Sequence, residues 1–451
     1  MRSAASYHPQ NKHEGAILAP LRRITFAERW LWAFLLGVMG LGAYAYSRQW
    51  ILGLGVTGLN RPIYWGIYIT NFVFFIGLAH SGTFISAILR IAGQSWRAPL
   101  TRAAEAITLF SLPFGAGSII IDMGHPERLL NLIFYGRYQA PILWDVTAVS
   151  LYMLSSYVFF YLSLLPDIAI CRDRLTNVPR WQHRMYEILA LGWKHSPAQY
   201  HRLEKVLDGM AVFMTMLVVT VHTVVSWLFG MTVQPGWHTA LIGPFFLLGA
   251  ILSGTAAVVI VLAVLRKTYR LEKVLHIGLF NSLRKLLITF VLGWLYMMIA
   301  EHLTIGYSSM TEEMVVLNDK FSGTYATVFW SMAVFVFVVP LLVFLFKGKN
   351  NIGWMVFACV LINLGMWMER YIVIIPTEIS PRMLHVMGQG SYLPALPEIL
   401  ITLACFAGLI LLYAVFTRFF PIVPIWETAQ ELPGHAHSTE TTPAPSPAAS
   451  D

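Results

Sequence analysis

Ionisable residues stand in a row at the ends of apolar stretches, where placing them is costly. Asp122, His125, Glu127 and Arg128 follow one stretch, and Asp145 opens the next. Glu301 and His302 close another, Glu369 and Arg370 close a fourth, and Glu398 opens the last. His222 lies inside a stretch, ~10 Å from its end at 1.5 Å per residue. Carboxylates and imidazoles are proton acceptors, and partial desolvation brings a carboxylate's proton affinity toward the working range while a nearby Arg or His lowers it again. The row therefore suits proton transfer at one membrane face. Each member also has a structural reading: an Asp122–Arg128 ion pair tying a loop, a Glu369–Arg370 interfacial pair, or His302 among headgroups.

His80 and Glu105 lie deeper, toward the opposite face, as does Asp208. Ser81, Gly82, Thr83 and Ser86 flank His80, a pattern of close helix contact with a satisfied hydrogen bond; the rival reading is a proton half-channel through Glu105, His80 and Asp208. A bis-histidine haem needs two imidazoles at one depth, and span counting puts His80 ~25 Å and His222 ~10 Å from the same surface, so no shared iron is expected. The remaining membrane-level histidines, His125, His238, His302 and His385, sit in or beside loops. Cys171, Cys359 and Cys405 are scattered and form no disulfide framework, zinc site or iron–sulfur ligand set. A redox centre used by this chain is expected to be borrowed or non-covalent.

These residues must be positioned by membrane helices. Hydrophobic residues make up 57% of 451 and charged residues 12%, and apolar runs recur from Trp30 to Phe419. A spanning helix needs ~20 apolar residues, because hydrocarbon offers the backbone no other hydrogen-bond partners. The predicted spans are near 28–47, 63–89, 98–121, 142–165, 206–229, 239–265, 284–304, 324–346, 353–374 and 397–419, an all-α polytopic membrane protein. Eighteen Lys and Arg fall in gaps two, four, six and eight against seven in the odd gaps. The positive-inside rule thus puts both termini in the cytoplasm and the ionisable row outside. The net charge of +8 is mostly this topology signal, and binding to nucleic acid is not expected, since no basic stripe with interleaved aromatics stands elsewhere.

The organisation reads as a cytoplasmic segment 1–27, a membrane domain 28–419 and a cytoplasmic, largely disordered tail 420–451, rich in Pro, Ala, Ser and Thr from Pro433. The inner loop 166–205 carries an amphipathic pattern around Val178–Trp193 suited to the membrane surface and its lipids. The outer loop Ile305–Gly323 holds an acidic patch of Glu312, Glu313 and Asp319, read as solvated.

Asp122-Met123-Gly124-His125-Pro126-Glu127-Arg128-Leu129-Leu130-Asn131 resembles the Asp-x-Gly-Arg-Pro-Glu-Arg-x-x-Asn signature of the NrfD/PsrC family of quinone-interacting membrane subunits. Pro62-Ile63-Tyr64-Trp65-Gly66, Gly77-x-x-His80-Ser81-Gly82-Thr83, Leu143-Trp144-Asp145-Val146, Pro235-Gly236-Trp237-His238, Glu301-His302-Leu303-Thr304 and Gly365-Met366-Trp367-Met368-Glu369-Arg370 extend the likeness over about residues 60–420, nearest to the alternative complex III branch. The resemblance implies two four-helix bundles, spans two to five and six to nine, with a flanking helix at each end. It implies menaquinol oxidation near the outer face of a bacterial plasma membrane, electrons passing to an iron–sulfur subunit and on to multihaem cytochrome c, a second NrfD-like membrane subunit in the complex, possible proton translocation, and no haem or iron–sulfur cluster in this chain. That branch often reads His-x-Gly-Arg-Pro; here Asp122 takes the first place and His125 the Arg place, so one of these two serves as the proton acceptor.

Quinol oxidation releases two protons and two electrons, so the hydroxyls need acceptors within hydrogen-bond reach. Asp145, Asp122 and His125 are the expected catalytic groups, with His80, Arg128, His222, Glu301, Glu369 and Arg370 expected to contact the quinone. Two other classes compete. A secondary transporter would place its site at the midplane on broken helices of an inverted repeat, whereas here charge gathers at one face. A passive membrane anchor leaves the polar row unexplained.

Overall fold

The computed structural model describes residues 14–22, 24–175, 178–232, 234–237, 239–380 and 390–430. Ten helices in it are long and apolar enough to cross a membrane: α1 Phe26–Leu52, α2 Ile67–Ile91, α3 Ala98–Asp122, α4 Pro141–Arg174, α5 Pro197–Gly230, α6 Ile242–Thr268, α7 Ile277–Ser308, α8 Ala326–Lys347, α9 Ile352–Ile379 and α10 Leu396–Phe419. Ten crossings return the chain to the face it started from. The end carrying the 123–140 connection is called the signature end, and the opposite end the termini end.

Local chemistry sets the helix starts. Thr25 accepts from the Glu28 N–H while the Glu28 carboxylate accepts from Thr25, a reciprocal cap on α1, and Ser196 with Gln199 repeats it on α5. Helices α4 and α5 run for 34 residues each, ~51 Å against a hydrocarbon core of ~30 Å. They continue past the bilayer at the termini end, so the expected 166–205 loop shrinks to the stretch between Arg174 and Pro197, holding a short helix Arg180–Leu189. Asp167, assigned to that loop from hydropathy, is instead buried in α4 and paired with Arg102. The acidic loop likewise folds, as the helix Thr311–Phe321, in which Glu313 and Lys320 are buried.

The two four-helix bundles are α2–α5 and α6–α9. Helix α2 is the shared spine, packing on α3 and α5 of its own bundle and on α6 and α9 of the other, while α1 lies along α10. The approach is close where small residues face: a Cβ on Gly82 would strike the Ala104 carbonyl of α3, and one on Gly254 would strike Ser81.

The chain stays packed after α10. Ile422, Val423, Ile425, Trp426 and Glu427 are buried, the last three on the short helix Ile425–Gln430. The start of the segment read as a disordered tail is thus a cap on the termini end of the first bundle; residues 431–451 lie outside the described residues.

Candidate functional site

At the signature end of the first bundle two carboxylates are left open. Asp145, one turn into α4, is 1% exposed, and among the described residues its Oδ1 has no hydrogen-bond partner, nor has the Oδ1 of Asp122, the last residue of α3. His125 lies on the exposed side of the following loop with Nδ1 2.9 Å from Glu127, and Arg128 beside it is exposed. Among the described residues no hydrogen bond or ion pair joins Asp145, Asp122 and His125 to one another. The structure brings both aspartates to one end, and turns His125 to the surface.

The frame around them is rigid. Gln49 of α1 donates to the Ile121 carbonyl at 2.9 Å and accepts from the Tyr68 hydroxyl at 2.6 Å, tying α1, α2 and α3 next to Asp122. Glu398 accepts from the Gly58 N–H (2.7 Å), the Ala395 N–H (2.8 Å) and the Tyr392 hydroxyl (2.7 Å). Glu378 accepts from the Tyr64 N–H at 3.1 Å. These two carboxylates hold the loop between α1 and α2, so Glu398, grouped by sequence with the reactive row, is occupied with backbone. Trp65 stacks on Trp237 with centroids 5.5 Å apart, and Phe229 meets both edge-on. The Pro62–Gly66 and Pro235–Trp237 motifs are thereby an aromatic clasp between the bundles.

Below Asp145 the buried face of α4 carries Tyr152, Ser156, Ser163 and Asp167, steps of seven, four, seven and four residues that keep one helix face. Tyr152 donates to the Ala79 carbonyl at 2.9 Å and lies 3.1 Å from Thr83, which bonds Thr108 at 3.0 Å. Glu105 accepts from Ser86 at 2.6 Å and Ser163 at 2.9 Å. Asp167 takes Arg102 and the N–H groups of Ile425 and Trp426, both at 3.1 Å. At the termini end Arg90 bonds Asp208 at 2.8 Å, and Glu427 pairs with Arg90 at 3.4 Å and Arg97 at 3.1 Å.

One sequence expectation is overturned here. His80 and His222 are not at different depths: their Nδ1 atoms are 2.8 Å apart, and the His80 ring lies 4.4 Å from Tyr152. Span counting assumed level helix ends. His80 is thirteen residues from the start of α2 and His222 eight from the end of α5, ~20 Å and ~12 Å along the axes. Contact between them puts the start of α2 ~8 Å beyond the end of α5 for parallel axes. The depth argument against a shared ligand therefore fails; the two rings hydrogen-bond directly, which requires one Nδ1 to carry a proton and the other to lack it. The His80 Nε2 has no partner among the described residues.

The second bundle gathers its charges differently. A cavity of about 50 Å³ at its signature end is lined by Trp294, Glu301, His302, Glu313, Lys320 and Glu369, among others. Glu301 accepts from Thr239 at 2.8 Å, and His302 Nδ1 meets the Met298 carbonyl at 2.8 Å. Glu369 and Arg370 pair at 3.0 Å, both buried, with the guanidinium 4.6 Å over Phe246. Burial lowers the Lys320 ammonium from its ordinary 10.5, while Glu301 and Glu369 oppose the shift. A water needs ~10–15 Å³ and benzene fits a cavity of ~150 Å³, so this space takes a few waters and no quinone ring. Sequence reasoning named Glu301, His302, Glu369 and Arg370, placed Glu313 in a solvated outer patch, and did not single out Lys320, whose only signal was a helical period inside a loop.

Residues 55–381 match the family described as Polysulphide reductase, NrfD. The chain belongs to the NrfD family. A selenate reductase subunit of Mesobacillus selenatarsenatis is 26% identical to it over 415 residues, covering 87% of this chain and 92% of that protein. The Hdr-like menaquinol oxidoreductase integral membrane subunit of Archaeoglobus fulgidus is 25% identical over 410 residues, covering 86% and 92%. A putative dimethyl sulfoxide reductase membrane subunit of Halobacterium salinarum is 28% identical over 239 residues, 52% of this chain and 51% of that one. This NrfD chain is accordingly a membrane subunit related to those of oxidoreductase complexes. Its family signature occupies the end where the two open aspartates lie.

Proposed function

We propose that this chain is the quinol-oxidising membrane subunit of an electron-transfer complex of the alternative complex III kind. The observation that carries the reading is Asp145, a carboxylate enclosed by apolar helix packing with one oxygen open, at the head of the polar face of α4. The menaquinol named in the A. fulgidus relative supports the substrate class. A quinol there gives one hydroxyl proton to Asp145 and the other to Asp122, and its two electrons to an iron–sulfur partner subunit that feeds multihaem cytochrome c, with a second NrfD-like subunit beside this one. His125 and Glu127 stand where released protons reach solvent. The buried polar groups Tyr152, His80, Glu105 and Asp167, which succeed one another toward the termini end without a continuous hydrogen-bonded chain among the described residues, are where turnover would couple to proton movement from that end. In this reading the membrane is the bacterial plasma membrane, with both termini cytoplasmic.

Asp145→Asn keeps size and hydrogen bonding and removes the base. Menaquinol:acceptor turnover is expected to fall on the order of 10²-fold or more, the scale of a positioned acid–base group, in a complex of unchanged stoichiometry. Full turnover in the assembled variant would remove Asp145 from the mechanism. Orientation is tested by cysteine labelling of intact cells: Glu312→Cys is expected to react and Lys194→Cys to stay protected, and the reverse pattern would move the quinol site to the other side.

A further inference from the structure

An apolar groove of about 220 Å³ lies between α1, α3 and α10, on the half of these helices nearer the signature end. On α3 it follows Pro113, Gly117 and Ile121, a stripe one turn apart along ~12 Å. It reaches the outside of the bundle at Ala43 and Pro113, both exposed. Gly117 leaves the space empty: a Cβ there would meet no atom within 4 Å. At its signature end the groove stops at Ile121, whose carbonyl is held by Gln49, and the next residue is Asp122 with its unpartnered oxygen.

We infer that this groove holds the first isoprene units of a polyprenyl quinol whose ring is served by Asp122. The inference rests on the quinol reading above and adds how the substrate is gripped. Since a cavity of ~150 Å³ takes the six carbons of benzene, about 220 Å³ takes roughly nine, nearly two five-carbon units. No Lys or Arg lines the groove, and the residue after Ile121 at its end is Asp122 with an unpartnered carboxylate oxygen. A phospholipid phosphate would meet a like charge there. A neutral hydroquinone meets an acceptor, so charge complementarity selects the quinol tail over an acyl chain.

The test uses the intact complex and two quinols, menaquinol with its full tail and the tail-less dimethylnaphthoquinol. Gly117→Leu, whose Cβ meets no atom within 4 Å, extends a side chain into the groove, and the ratio of kcat/KM for tailed over tail-less quinol is expected to fall about tenfold, the order set by losing burial of a few methylene groups. Gly37→Leu on α1 also projects into open space but lines no groove, and is expected to keep the wild-type ratio. An unchanged ratio in Gly117→Leu, or equal losses with both quinols, overturns the inference. A menaquinol with a diazirine on its second isoprene unit is expected to cross-link within 39–46, 113–121 or 401–405. Cross-links elsewhere with turnover intact sink the groove and leave the functional reading standing; no turnover of either quinol by the wild-type complex sinks both. Labelling of the same peptides by a diazirine phosphatidylglycerol that menaquinol does not displace makes the groove a lipid site and overturns the inference.

Discussion

The two bundles carry similar inventories of buried charge and spend them in opposite ways. In the second, Glu369 is compensated by the Arg370 guanidinium, although both its oxygens are buried without a hydrogen bond among the described residues, and Glu301 accepts from Thr239, around a cavity of about 50 Å³; deeper polar groups such as Ser253 and Thr255 bond their own helix. In the first, Asp145 and Asp122 keep an open oxygen, and a file of side chains links helix to helix down to Glu427. A buried ion pair is weak evidence of purpose, because mutual compensation alone explains it. An acceptor left open with no cation paired to it among the described residues is not explained that way. The difference, more than the count of charged residues, is what the proposed quinol-oxidising role of the first bundle rests on.

That contrast can be broken most directly by moving the same change across it. Asp145→Asn is expected to cost on the order of 10²-fold in turnover; Glu301→Gln, its counterpart, is expected to stay within about twofold in the same assay, about the effect of a group outside the chemistry. Comparable losses would dissolve the distinction. Arg370→Met, which strands Glu369 as an uncompensated buried charge, is expected to destabilise by about 3–5 kcal/mol in detergent unfolding while turnover per assembled complex is kept. Turnover lost at unchanged stability would bring the second bundle into the mechanism. Glu105→Gln sharpens the role of the file: quinol oxidation is expected to stay within about threefold, and proton uptake from the termini side, read with a pH dye in reconstituted vesicles, to fall more than turnover. The smallest effect belongs to Tyr152→Phe, about 1 kcal/mol of stability for one hydrogen bond to the Ala79 carbonyl; a loss several times larger would mean that the hydroxyl also orients His80.

The spans were legible because burial in hydrocarbon imposes length and composition together; every predicted span overlaps its helix, and α10 differs by a single residue at its start. Helix ends in water were not, since nothing in hydropathy stops α4 at Leu165 when its backbone bonds can continue to Arg174. Asp145 and Asp122 stood out as carboxylates at span ends. The meeting of His80 with His222 did not, because charge counting assigns faces and leaves the axial offset between neighbouring helices undetermined. Nor did sequence separate Glu398, saturated by two backbone amides and a tyrosine, from the aspartates left open; that distinction lies in which loop folds over which carboxylate.

The cap on Asp167 has a consequence for how the protein is made. Its backbone donors, Ile425 and Trp426, are translated about 260 residues after it, which at ~5–20 residues per second is a wait of roughly 13–52 s. During that interval every span of the first bundle has emerged, while the carboxylate has only Arg102 for company. A ribosome that stalls just short of Ile425 releases a polypeptide with all ten membrane crossings and an uncapped Asp167. Synthesis of the segment after α10 is therefore registered by two amides closing over a residue inserted long before.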